Sequence, residues 1–164
     1  MSELLRLEKV VVNIGVGEAG ERLEKAKELL ERLTGQKPVE TLATKRIPTW
    51  GIRKGLPIGC KVTLRKEKAM EFLKKAFAAV DNKISAESFD DHGNVSFGIK
   101  EYIDIPGMKY DPNIGMFGMD VTVCITKIGK RVRVRKIKRR KVDVHPTKEE
   151  SMEFLKQLFG VEIE

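Results

Sequence analysis

Three groups of residues have the types and spacing to do chemistry. Gly15-Val16-Gly17-Glu18-Ala19-Gly20 fits the G-x-G-x-x-G pattern that cradles a dinucleotide pyrophosphate, and Glu40 follows where such sites place a ribose-binding acid. Yet Glu18 and Glu21 stand where the pyrophosphate would meet the helix N-terminus, and their charge repels it. Val39-Glu40-Thr41 does not end a buried parallel strand either. Turn glycines are the plainer reading. Cys60, His92, Cys124 and His145 are the thiols and imidazoles a zinc site would use, but no pair has close ligand spacing. Two isolated cysteines in strand-like surroundings read as reduced core thiols. No nucleophile–base pair, carboxylate dyad or P-loop stands out, so neither catalysis nor a cofactor is expected.

The third group is cationic. Lys127 to Lys141 holds ten basic residues and no acid: Lys127, Lys130, Arg131, Arg133, Arg135, Lys136, Lys138, Arg139, Arg140 and Lys141. Arg131, Arg133 and Arg135 alternate with Val132 and Val134, which predicts an extended ribbon with one basic edge. So many like charges repel one another unless a polyanion lies against them. Thr41 to Lys66 is a second acid-free interval, carrying Lys45, Arg46, Arg53, Lys54, Lys61, Arg65 and Lys66. Asp81 to Asp120 reverses the balance, with eight acids against Lys83, Lys100 and Lys109. A surface built only for solubility would intersperse the signs. Here a net charge of +8 falls into two patches, the footprint of a nucleic-acid binder.

The elements that must hold these patches are legible in the hydrophobic pattern. Leu7 to Ile14 alternates, with Val10, Val12 and Ile14 inward, and predicts a half-buried strand. Glu21 to Leu33 predicts a helix burying Leu23, Ala26, Leu30 and Leu33 and stopped by Gly35. A basic connection rich in Gly, Pro and Thr runs from Gln36 to Pro57. Ile58 to Arg65 is a strand, Glu67 to Val80 a helix on Met70, Leu73, Ala76, Phe77 and Val80, and Asn94 to Lys100 and Met119 to Thr126 are further strands. Thr147 and Glu150 form a capping box for a last helix that ends at Gly160.

Strands that alternate bury one face only. The expectation is an α+β fold, a mainly antiparallel sheet with helices packed on one face and basic extended loops. The open face then carries Asn13, Lys61, Thr63, Arg65, Ser96, Asp120, Thr122 and Thr126. It is polar rather than aromatic, suited to phosphates, 2′-hydroxyls and base edges. The length is that of a single domain over 1–164, with the basic loop at 41–57 and the basic arm at 127–146 inside it. No apolar run approaches a membrane span, and the first residues lack a signal-peptide layout, so a cytoplasmic protein is expected.

Several ordered motifs resemble one family. Val12-Asn13-Ile14-Gly15-Val16-Gly17, Leu33 to Val39, Gly51 to Arg65, Phe97-Gly98-Ile99-Lys100-Glu101 and Gly118-Met119-Asp120 are similar, in order, to the universal ribosomal protein L-five family. The resemblance runs from about Leu7 to Gly160, and Tyr110-Asp111-Pro112 and the stretch from His145 to Glu150 resemble its archaeal and eukaryotic branch. It implies a protein that anchors 5S rRNA in the central protuberance of the large subunit. The implied partners are large-subunit rRNA, P-site tRNA and a small-subunit protein at an intersubunit bridge. By motif match, Asn13, Gln36, Thr41, Thr63, Arg65 and Asp120 are implied 5S contacts, and the open face adds Lys61. Lys45 to Arg53 is implied to face tRNA, and Lys54 extends its charge. Trp50 replaces the family's commoner Phe, and Pro146 a commoner basic residue. Two other readings stand beside this one: a dinucleotide-dependent enzyme at Gly15–Gly20, and a free-standing RNA chaperone.

Overall fold

A computed structural model describes residues 5–142 and 144–164, so the expectation for the first residues lies outside the described part. The elements are β1 (Leu5–Gly15), α1 (Glu21–Thr34), β2 (Val39–Leu42), β3 (Pro57–Leu64), α2 (Lys66–Ala79), β4 (Lys83–Ile84), β5 (Val95–Ile99), β6 (Met119–Lys127), α3 (Lys130–Val134), α4 (Lys148–Phe159) and β7 (Glu162–Ile163). Five strands form one sheet in the order β2-β3-β1-β6-β5. The fold is α+β with a mainly antiparallel sheet, as the alternation requires.

The chain divides into two compact units. The first gathers the described residues up to Val10, Arg65–Phe97 and those from Thr122 onward; the second comprises Val11–Leu64 and Gly98–Val121. In the second unit α1 packs on β3, burying Leu23, Ala26, Leu29 and Leu30 with Cys60, Val62 and Leu64. Leu29 replaces Leu33 in the expected core stripe, since Leu33 is only half-buried at the last turn. Gly35 closes α1 in the left-handed conformation, φ 61°, and its N–H reaches the Glu31 carbonyl.

In the first unit α2 buries Ala69, Phe72, Leu73, Ala76 and Phe77, with Met70 and Val80 half-covered at the margin. Phe77 stacks on Phe97 at 5.3 Å and meets Phe159 edge-on at 5.1 Å. The capping box of α4 is present in both directions: Thr147 accepts from the Glu150 N–H, and the Glu150 side chain accepts from the Thr147 N–H. Replacing Thr147 with Ala orphans one of those amides and should cost about 1 kcal/mol, lowering Tm by roughly 2–4 °C for a chain of this size. A thermal melt of Thr147→Ala with no shift would leave the cap without energetic weight.

Three expectations need correction. The connection from Gln36 to Pro57 contains a strand, β2, paired antiparallel with β3 through Val39↔Lys61, Glu40↔Cys60 and Thr41↔Gly59. Thr126 does not face solvent: the chain returns along β6 at Val144, whose carbonyl accepts from the Lys127 N–H and the Thr126 hydroxyl, leaving Thr126 2% exposed. The basic arm is not a ribbon either. Gly129, at φ 110°, turns the chain off β6 into the five-residue helix α3, and the Arg140 N–H folds back onto the Val132 carbonyl. The short parallel pair β4–β7 carries no pattern in the sequence and was not expected.

Candidate nucleic-acid interface

The polar face in the second unit is assembled from four neighbouring strands. Thr41 lies on β2, Lys61 and Thr63 on β3, Asn13 on β1 and Asp120 on β6, in that order across the sheet. Lys61 and Asp120 are exposed, while Asn13, Thr41 and Thr63 are half-buried. Thr41 sits opposite Gly59, and a Cβ at Gly59 would come within 2.8 Å of both Thr41 Oγ1 and the Ile14 carbonyl. A side chain at Gly59 would therefore push Thr41 and β1 apart, so glycine there sets the surface on which Thr41 stands. Gln36 is exposed just beyond the Gly35 turn, where its N–H is held by the Thr34 hydroxyl. Arg65 is exposed where β3 gives way to α2, and belongs to the first unit.

The glycine turn after β1 is committed to the fold. The Val16 and Gly17 amides both donate to the Ile58 carbonyl, at 3.0 and 2.7 Å, so they are not free to cradle a phosphate. Glu18 and Glu21 pair with Arg22 and Lys25 one turn on. The cysteines are equally committed to structure: burial pushes the Cys60 thiol up to about 11 and raises that of Cys124, so neither is a ready thiolate. Among the described residues no cluster of three or more His, Cys, Asp and Glu is placed to hold a metal ion. His92 and His145 do meet, with ring centroids 4.7 Å apart, and Arg133 hydrogen-bonds His145 Nε2.

The loop after β2 has more order than its composition suggests. Ile47 and Ile52 form a two-bond rung, N–H to carbonyl in both directions at 2.9 and 3.1 Å, and Ile52 is buried. Between them Pro48–Trp50 makes one 3-10 turn, closed by Gly51 at φ 66°. At the base the Ala43 N–H donates to the Leu56 carbonyl and the Gly55 N–H to the Ala43 carbonyl, each at 2.8 Å. The result presents Lys45, Arg46, Arg53 and Lys54 around a Trp50 that is 73% exposed. Of the loop's large apolar groups, the core takes Ile52 and leaves Trp50 outside.

The basic arm in the first unit splits by function. Lys127 pairs with Glu150 at 2.8 Å, holding that carboxyl below its ordinary range, and Lys130 pairs with Glu8. These two cations fasten the root. Arg131, Arg133, Arg135, Lys136, Lys138, Arg139, Arg140 and Lys141 are all exposed, and Arg135 Nε donates to the Lys138 carbonyl, shaping the tip. Glu8 is a residue that the strand pattern did not single out.

Hydrogen-bonding side chains on a sheet face and an indole among cations in the second unit, and a basic arm in the first, are each chemically suited to RNA. Known proteins point the same way. The family described as Ribosomal protein L5 matches residues 2–53, and the ribosomal L5P family C-terminus matches residues 57–158. The large ribosomal subunit protein uL5 of Sulfurisphaera tokodaii is 60% identical over 97% of this chain and 92% of its own length. The proteins of that name from Nanoarchaeum equitans and Pyrobaculum aerophilum are 56% and 53% identical, over 97% and 96% of this chain and 95% and 89% of their own.

Proposed function

From the chain's membership of the ribosomal protein L5 family, which makes it a non-enzymatic structural component of the large ribosomal subunit, we propose that it binds 5S rRNA through the open sheet face of its second unit. The observation that carries this reading is the row Thr41, Lys61 with Thr63, Asn13 and Asp120 across four adjacent strands. An acid on an RNA-facing surface is costly unless it accepts hydrogen bonds, and Asp120 suits a 2′-hydroxyl or a guanine edge. Gln36 extends the contact within the second unit, and Arg65, in the first, is a further contact to the same RNA. The exposed loop with Trp50 is the contact for P-site tRNA, and the arm is a backbone contact to rRNA. Attachment to a small-subunit protein at an intersubunit bridge follows from the family resemblance.

Thr63→Ala and Asp120→Ala should each weaken 5S rRNA binding by about 1–3 kcal/mol, roughly 5- to 150-fold, with circular dichroism unchanged. Filter binding at fixed salt measures it. If both variants bind like wild type, the sheet face is not the site.

A further inference from the structure

Glu8 occupies an odd place for an acid in a protein that binds a polyanion. Its side chain is only 18% exposed, and it touches two cations from distant parts of the sequence within the first unit. Oε1 lies 4.0 Å from Arg65 Nη1, and Oε2 pairs with Lys130 Nζ. The Glu8 backbone carbonyl also accepts from Arg65 Nη1 at 3.4 Å. On the same strand Leu7 lines a groove with Met70, Phe154 and Leu158, and Val10 and Val12 are buried. Glu8 joins Lys9, Lys130 and Asp90 among the charges that act on Cys124 of β6.

We propose that Glu8 is a positioning residue for RNA binding, holding Arg65 and the root of the arm at Lys130 as one preorganised cationic pair. The inference rests on the 5S rRNA reading above. A guanidinium has five N–H donors in a rigid fork, and the contacts to Glu8 engage Nη1. The Arg65 side chain is still 57% exposed, so the rest of the fork is accessible to a phosphate. Long flexible side chains lose rotamer freedom when they bind, and a chain already held by a carboxylate loses less of it at that moment. The trio keeps a net positive charge while fixing its geometry.

The sign of one substitution separates this role from a passive one. Glu8→Gln removes a negative charge, so a carboxylate that merely repels RNA predicts tighter 5S rRNA binding. A positioning role predicts weaker binding, roughly five- to tenfold, because Lys130 loses its ionic partner and Arg65 keeps only the Glu8 backbone carbonyl. It also predicts non-additivity: Arg65→Ala and Lys130→Ala should each cost less in the Glu8→Gln background than alone. Binding that is unchanged or tighter, or costs that simply add, overturns the inference. If Glu8→Gln yields less folded protein, Lys130→Met asks the question from the other side. It should then diminish the effect of Arg65→Ala, and undiminished loss refutes the coupling. Wild-type protein that fails to bind 5S rRNA at all would instead refute the parent reading, so the two failures are distinct.

Discussion

Replacing Arg131, Arg135, Lys136, Lys138, Arg139, Arg140 and Lys141 with Ser should strip most of the salt dependence from RNA binding while leaving the fold intact. These seven are exposed and lie beyond the fastened root, whereas Lys127, Lys130 and Arg133 hold Glu150, Glu8 and His145 and are left in place. Phosphate contacts release condensed counterions, and each contributes about 0.7 to 0.9 to the log–log salt slope, the single-strand and duplex values. An arm that neutralises five phosphates therefore supplies about 3.5–4.5 of slope. Between about 50 and 200 mM salt, wild type should lose roughly 100- to 500-fold more affinity than the variant. Discrimination between 5S rRNA and a scrambled RNA of equal length should change little, since backbone contacts position without reading bases. A variant whose slope equals that of wild type would make the arm a tail without an RNA partner.

The root also shows where the charge pattern misleads. Ten bases without an acid in sequence suggest ten free cations, but Glu8 and Glu150 reach Lys130 and Lys127 from 122 and 23 residues away. Charge runs report local composition, whereas pairing depends on which strands the fold brings alongside. The Arg/Val alternation failed for a related reason. Five residues of period two are too few to exclude a helical turn, and arginine is a good helix former.

What was legible in the sequence is what is decided locally. Gly35, the Thr147–Glu150 box and Gly160 end their helices through contacts a few residues away, and the alternation of β1, β3, β5 and β6 follows from one covered face. What was not legible depends on remote partners. Val39-Glu40-Thr41-Leu42 has no alternating burial and becomes a strand by pairing with β3. Thr126 is covered by a segment that returns 18 residues later. Glu8 is not legible because its partners, Arg65 and Lys130, lie 57 and 122 residues away in the sequence. Of the implied 5S contacts, Asn13, Thr41, Thr63 and Asp120 share one sheet face with Lys61, because residues two apart on a strand point to the same side, whereas Gln36 and Arg65 lie off the strands.

The loop variant Trp50→Ala with Arg46→Ala and Arg53→Ala should leave 5S rRNA binding within about twofold of wild type and sharply weaken P-site tRNA retention on assembled ribosomes. The three side chains are exposed at the tip, so their removal leaves the Ile47–Ile52 rung and the Ala43 hydrogen bonds that carry the loop's shape. That choice matters. Deleting Arg46 to Gly51 outright would take Ile47 with it, break the rung to buried Ile52, and confuse loss of contact with loss of structure. An indole that is 73% exposed forgoes much of the gain from burial, so its place at the tip is better explained by a surface it meets. Stacking a base on an aromatic ring is worth about 1–3 kcal/mol, and two guanidinium contacts to phosphate add to it. The combined loss should reach at least tenfold in tRNA dwell time, since contact loss in related complexes falls mainly on the off-rate. A rigid rung under an adaptable tip also fits a partner that must be released at every translocation. Trp50→Phe should keep most of the retention, because a smaller ring still stacks, whereas Trp50→Leu should not. Should the triple variant lose 5S rRNA binding in a folded protein and hold tRNA normally, the loop belongs to the 5S site and the two functions are not separable along the chain.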